Sequence, residues 1–310
     1  MPGILAALTP IFLLILFGHG LRRAGWFGEA FWADIDRLVF FVLLPAYLVL
    51  RIGTADLSGL ALGPMGLGVA AGLFIMAALA FALKPLFRLD GPAFGAVFQG
   101  CMRPNIYVGF AAAEALFGAE GGILAAIVVA VGTPLVNVFA VVVLTFYGPG
   151  GSGGWRRALL AMARNPVILA IAAGLAINLS GLGLPPVMDG MLGIMASGTL
   201  AMALLSVGAG LNFQAARRAG AKVLAVTALK LLGLPAITLG ACLAFGAEGV
   251  ALVVAVMFAS LPNSPTSYSM TRQLGGDHAM MAAIITVQTF AAMATMPAVL
   301  VLTMRITGMG

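Results

Sequence analysis

The stretch GPAFGAVFQGCMRPNIYVGFAAAEALFG, residues 91–118, has the composition of one membrane helix, but Arg103-Pro104-Asn105 interrupts it at the centre. Because proline lacks an N–H and its ring clashes with the preceding turn, a helix is kinked or split at Pro104. The split leaves backbone polar groups unpaired, and hydrocarbon cannot satisfy them. Such a break is tolerated only where it is buried in protein or lines a polar cavity, so the sequence predicts a site here.

A second interruption follows 158 residues later, where Pro262-Asn263 repeats Pro104-Asn105. The same shift places Tyr268 on Phe110, Leu274 on Leu116 and Gly276 on Gly118. Two interrupted hydrophobic segments in corresponding halves of a chain are typical of the binding site of a secondary transporter.

Composition indicates a polytopic protein of the lipid bilayer. Of the 310 residues, 62% are hydrophobic and only 8% are charged, whereas soluble domains carry about 25% charged residues. The net charge of +6 could suggest a nucleic-acid partner. The cations, however, lie singly or in pairs between apolar runs and form no stripe, so we expect no nucleic-acid binding.

We predict an all-α membrane protein with ten spans of about 20 apolar residues. A Gly- and Pro-rich segment within residues 148–164 separates a first repeat of five helices, 1–147, from a second repeat, 165–310. The predicted spans are 4–20, 36–53, 60–83, 92–116, 122–147, 166–184, 188–211, 221–246, 249–271 and 280–304.

The distribution of Lys and Arg predicts the orientation of the chain. Loops after even-numbered spans, together with the chain ends, hold only Arg51 and Arg305, whereas loops after odd-numbered spans hold twelve cations. We therefore expect the odd loops in the cytoplasm, both termini outside the plasma (inner) membrane, and opposite topologies for the two halves. The twelve cations are Arg22, Arg23, Arg37, Lys84, Arg88, Arg156, Arg157, Arg164, Arg217, Arg218, Lys222 and Arg272.

The two breaks predict an anion site. The half-helices after Pro104 and Pro262 begin near the bilayer centre, and each helix N-terminus carries roughly half a positive charge. Asn105 and Asn263 fall at cap positions, where an amide satisfies the backbone and can still bind a ligand. Capping alone is the alternative for both. The further substrate-binding candidates near the breaks are Gln99, Asn137, Ser264, Thr266 and Gln288.

Arg103 and Lys230 are the two embedded cations. A cation at the bilayer centre costs at least about 2.5–3.5 kcal/mol, so each needs compensation. Binding the substrate anion is one explanation. The alternatives are extension of the side chain toward the interface and, for Arg103, bonding to carbonyls freed at the break.

Carboxylates are missing from the centre of every predicted span. Cation- or proton-coupled carriers usually place one at the break. The sequence also has no metal-ligand spacing, no Walker loop and no nucleophile beside a base, so we expect no cofactor and no enzyme activity. An intramembrane enzyme and a membrane sensor are the rival functions.

These residues resemble the auxin efflux carrier family, which includes bacterial malonate and malate carriers and the plant PIN proteins. The resemblance rests on PIFLLILFG at 10–18 with Leu21-Arg22-Arg23, Leu44-Pro45, Arg103-Pro104-Asn105, Asn165-Pro166, Lys230 with Pro235, and Pro262.

The resemblance implies ten helices in a five-plus-five inverted repeat, with spans 1, 2, 6 and 7 as scaffold and spans 3–5 and 8–10 as the moving domain. It also implies elevator-like alternating access, a crossover site at the two prolines, and a homodimer. The substrate stays open among malonate, malate, other small carboxylates and indole-like acids. Sodium/bile-acid symporters and sodium/proton antiporters share the implied fold, so a sodium-coupled symporter is the alternative.

Overall fold

The computed structural model describes residues 2–56, 62–148 and 163–309, and these ranges form helices and no strand. Most of the predicted linker, 149–162, lies outside them. The helices are α1 Pro2–Arg23, α2 Glu29–Leu38, α3 Leu44–Gly53, α4 Leu62–Leu86, α5 Gly91–Met102, α6 Ile106–Tyr147, α7 Pro166–Ser180, α8 Pro186–Ala209, α9 Phe213–Arg217, α10 Ala221–Ala228, α11 Leu234–Ala244, α12 Gly249–Ala259, α13 Thr266–Gln273 and α14 His278–Ile306.

Six helical segments of the described chain are long and apolar enough to cross a membrane. They are α1, α4, α6, α8, the continuous segment Ala221–Ala244 that contains α10 and α11, and α14. Helices α7 and α12 are apolar but shorter. The chain is therefore an all-helical, multi-pass membrane protein.

Helix α6 contains the second part of the fourth predicted span, residues 106–116, and the whole fifth span, and it is interrupted at Gly118. There the backbone leaves the helical region with φ +60°, a conformation that favours glycine. A Cβ at Gly121 would overlap the carbonyl of Ala113. Residues eight apart in an unbroken helix lie about 12 Å apart along the axis, so the chain folds back sharply here.

Two π-helical turns, Val39–Leu43 and Leu229–Gly233, each precede a proline. Pro45 and Pro235 cannot donate to the carbonyl four residues earlier, and an α-helical turn would press the ring against that carbonyl. The wider π turn accommodates the proline without ending the helix. The second of these turns carries Lys230.

The two predicted breaks are present and touch each other. The chain between α5 and α6 meets the chain between α12 and α13 in one antiparallel bridge between Pro104 and Asn263. The N–H of Asn105 donates to the carbonyl of Pro262 at 2.8 Å. Backbone groups left unpaired by one break are thus partly satisfied by the other.

The helices pack in two groups. In the first group α1 packs on α8, and α3 packs on α7 and α8; in the second group α4 packs on α6 and α11, and α12 packs on both of these. A Cβ at Gly208 would overlap the carbonyl of Ile15, and one at Gly68 would overlap Cys242. Glycine is therefore required where α8 meets α1 and where α4 meets α11.

Candidate functional site

A cavity of about 280 Å³ lies beside the first break. Its walls come from both breaks, the first turn and the later part of α6, the length of α13 and the start of α7, and one side chain of the first π turn completes them. Its polar lining consists of Arg103, Tyr107, Thr133, Asn137, Asn165, Ser264, Thr266, Ser269 and Gln273, and its apolar lining of Phe40, Pro104, Ile106, Val136, Val141, Val167 and Met270.

Arg103 is the cation of this cavity. Its Nη2 donates to Oδ1 of Asn137 at 2.5 Å, and its Nη1 approaches Oγ1 of Thr266 at 3.5 Å. Within the described chain no carboxylate forms an ion pair with Arg103. Glu114, which lies eleven residues further along the chain, pairs with Arg51 at 2.6 Å instead. The buried Nε of Arg103 has no hydrogen-bond partner there either. Neutral side chains therefore position the guanidinium and leave its charge uncompensated.

Asn105 caps helix α6, as predicted. Its Oδ1 accepts from the N–H groups of Tyr107 at 3.2 Å and of Val108 at 3.4 Å. Its Nδ2 is buried and has no partner among the residues that the structure describes. The cap fixes the amide so that only its N–H donors remain free.

Asn263 does not cap a helix, and that prediction is wrong. Helix α13 begins only at Thr266, and Pro265 occupies the cap position. The Oγ of Ser264 accepts the N–H of Thr266 at 3.4 Å instead. Because the second break is longer than the first, its Pro-Asn pair lies too far from the following helix to cap it.

A network of amide side chains holds Asn263. Its Nδ2 donates to the carbonyl of Gln99 at 2.8 Å, and its Oδ1 accepts from Oγ of Ser267 at 2.5 Å. Oε1 of Gln288 accepts the N–H of Asn263 at 3.0 Å, and Nε2 of Gln288 donates to the carbonyl of Gly100 at 2.9 Å. Gln99 and Gln288 therefore connect the two breaks, in place of the backbone bonds that the prolines remove.

Lys230 lies apart from the cavity. Its side chain is fully buried, and Nζ donates to the carbonyl of Ala259 at 2.9 Å. Ala259 is the last residue of α12, where carbonyls have no partner within the helix. Lys230 thus compensates the negative end of a half-helix, which is the role that the sequence suggested as an alternative for Arg103.

The structure divides the predicted site residues into three sets. Arg103, Pro104, Asn137, Ser264 and Thr266 line the cavity. Gln99, Asn105, Pro262, Asn263 and Gln288 surround the bridge between the breaks without lining the cavity. Lys230 lies at the end of α12.

Five further polar residues line the cavity although the sequence did not place them in the predicted site: Tyr107, Thr133, Asn165, Ser269 and Gln273. Asn165 was noted only as part of the Asn165-Pro166 motif on which the family resemblance rests. Tyr107 follows the break by two residues, and Ser269 follows Thr266 by three, which is one helical turn. That spacing was the available signal for both. Thr133, which also lines the cavity, lies four residues before Asn137 and so on the same helix face.

Comparison with known proteins bears on the family resemblance. A family model described as membrane transport protein matches residues 155–300. An uncharacterized transporter of Methanothermobacter thermautotrophicus is similar over 293 residues, with 26% identity, and the match covers 93% of this chain and 94% of that protein. Both matches support a membrane transporter of the auxin efflux carrier family. The resemblance found in the sequence is thereby confirmed.

Proposed function

We propose that this transporter carries a small organic anion, such as a carboxylate, and binds it in the cavity beside the first break. The observation that carries the proposal is Arg103, a cation with no carboxylate partner in the described chain that faces a cavity. Burying a charge is unfavourable unless it is compensated, and a bound anion supplies the compensation.

Two helix N-termini and two unpaired hydrogen-bond donors add to the attraction of Arg103 for an anion. Residues of the first turns of α6 and α13 line the cavity, so both helix N-termini lie at its edge. The hydroxyl of Tyr107 and Nε of Arg103 have no hydrogen-bond partner in the described structure. Both are donors that a carboxylate oxygen can satisfy. The apolar side chains of the lining suit the carbon skeleton of an organic anion.

The two helix groups support elevator-like alternating access within a ten-span, five-plus-five inverted repeat. Helices α1, α3, α7 and α8 correspond to the scaffold that the family resemblance implies. Helices α4, α6, α11 and α12 belong to the moving domain, together with both breaks. Phe40 and Asn165 contribute to the cavity from the scaffold side, and Arg103 contributes from the moving side. Movement of one group along the other would carry the anion away from the scaffold residues.

In the predicted topology, the cavity lies toward the cytoplasmic side of the membrane. Val141, Asn165 and Gln273 lie near span ends that the charge bias assigns to the cytoplasm. Arg51 and Glu114 form an ion pair that joins α3 to α6. Both lie near the ends of predicted spans that the charge bias assigns to the extracellular side. We propose that the structure represents the inward-facing state. The extracellular termini, the plasma membrane and the homodimer stay predictions.

A thermal-shift screen of the purified protein against mono- and dicarboxylates tests the function. A ligand that binds only the folded state stabilises it by about 2.7 kcal/mol at a hundred times its Kd. We expect stabilisation by at least one carboxylate, and accumulation of that carboxylate in proteoliposomes by counterflow. Arg103→Gln should lose both effects. The matched control is Arg272→Gln, an exposed arginine on α13 outside the cavity lining, which should keep both. Equal binding by the wild type and Arg103→Gln would contradict the proposal.

A further inference from the structure

Asn165 enters the cavity with a fixed orientation. It is the cap of α7, and its Oδ1 accepts the N–H of Val167 at 2.9 Å and that of Ile168 at 3.4 Å. The residue is partly buried and lines the cavity. An amide whose oxygen caps a helix cannot rotate its oxygen into the cavity without losing the cap.

The free end of Asn165 is therefore its Nδ2 group. This group has two N–H donors and no acceptor. Within the described chain it makes no hydrogen bond, so it lacks a protein partner there. A donor-only group of fixed orientation favours a ligand that offers acceptors and disfavours one that offers N–H or O–H donors.

We infer that Asn165 is a specificity-determining residue, whose Nδ2 donates a hydrogen bond to an acceptor oxygen of the anion while Arg103 supplies the charge. The inference rests on the proposed function and adds a second contact to it. Arg103 belongs to the group of helices proposed to move, and Asn165 belongs to the scaffold. The anion would contact both groups only in the state described here, and movement would break the contact with Asn165.

The substitution Asn165→Asp separates capping from ligand recognition. Aspartate caps a helix about as well as asparagine does, so α7 should keep its stability. In the cavity the substitution replaces two N–H donors by a negatively charged oxygen. We expect the affinity for a carboxylate to fall about ten- to a hundredfold, as for the loss of a charge-assisted contact. Asn165→Ser also keeps the cap but adds no charge, and we expect a smaller loss, about three- to tenfold.

Asn212→Asp is the matched control. Asn212 caps α9 through its Oδ1, which accepts the N–H of Ala215 at 2.9 Å, and it does not line this cavity. We expect its affinity for the anion to equal that of the wild type. The probe is whichever of malonate, malate and indole-3-acetate stabilises the wild-type protein most, and Kd is measured by titration calorimetry in detergent.

The outcomes separate the inference from the proposed function. If Asn165→Asp and Asn165→Ser bind the probe as the wild type does, while Arg103→Gln has lost binding, the inference is overturned and the proposed function stands. If Arg103→Gln also binds normally, or if none of the three probes binds the wild type, both fall. Should Asn165→Asp fail to fold, Asn165→Ser decides by the same criterion.

Discussion

The two breaks contain the same Pro-Asn pair but have different surroundings. At the first break the free Nδ2 of Asn105 has no partner in the described chain, and the neighbouring Arg103 borders the cavity. At the second break every polar atom of the Asn263 side chain is bonded to protein, and Lys230 is bonded to the carbonyl that ends α12. The first break therefore keeps unpaired donors, whereas the second is completed by the protein itself.

This difference follows from the length of the second interruption. Only Arg103, Pro104 and Asn105 separate α5 from α6, so the cap forms at once. Six residues, 260–265, separate α12 from α13, and the extra backbone groups need more partners. Gln288 accepts the N–H of Asn263, and Lys230 donates to the carbonyl of Ala259, which precedes the interruption. Under the proposed function, the first copy of the Pro-Asn pair lies at the binding site and the second supports the fold.

The largest expected effect distinguishes the two cations. Arg103→Gln should weaken anion binding about ten- to a hundredfold, since it removes a charge-assisted contact. Lys230→Gln should change the affinity by less than about twofold, because Lys230 compensates a helix end away from the cavity. Titration calorimetry of both variants measures the contrast. A similar loss in the two variants would place Lys230 in the site and end the distinction between the breaks.

The same substitution at the two related asparagines should have unequal effects on stability. Asn263→Ser removes bonds to Gln99 and Ser267 and leaves buried groups unpaired, which costs about 1–3 kcal/mol. Asn105→Ser keeps a capping oxygen and should cost less than about 0.5 kcal/mol. Thermal unfolding of the two variants in detergent checks this. Equal destabilisation would mean that both asparagines support the fold alike.

The Arg51–Glu114 pair offers the reverse case, a cation that has a carboxylate partner. Its side chains are partly exposed, 37% and 21%, so solvent weakens the attraction. A double-mutant cycle with Arg51→Gln and Glu114→Gln should give a coupling of about 0–1 kcal/mol in thermal stability. A coupling well above this range would show that the pair behaves as a buried ion pair. The Glu114 carboxylate would then stabilise Arg51 about as strongly as the proposed anion stabilises Arg103.

The sequence predicted the helical membrane fold, the two breaks, the cap at Asn105 and the family, because proline chemistry and hydrophobicity act locally. It treated Arg103 and Lys230 as equals and Asn105 and Asn263 as equals, because which backbone group a buried side chain meets depends on packing between distant helices. Ala259 is 29 residues from Lys230, and Gln99 is 164 residues from Asn263. The position of Asn165 in the cavity lining was missed because the sequence drew attention to it only within the Asn165-Pro166 motif.

The replacement of sodium should have a smaller effect on anion transport than any of the substitutions has on binding or stability. Every acidic residue of the sequence lies at a span end or in a loop, whereas sodium-coupled carriers of this implied fold place carboxylates near the break. Arg103, beside the first break, is a positive charge that repels a second cation in a low-dielectric site. Carbonyls and amides alone can bind sodium, and Asn105, Thr133, Asn137 and Gln288 could supply such groups. Two of these amides, however, already bond to Arg103 and Asn263.

We therefore expect anion transport in proteoliposomes to proceed at the same rate when sodium is replaced by potassium or choline on both sides. Any dependence on pH should follow the pKa of the substrate rather than that of a protein group. The control is a chloride-only gradient, which tests for an effect of ionic strength. Accumulation that requires sodium would contradict this prediction, would assign the amides near the second break to an ion site, and would favour the sodium-coupled symporter.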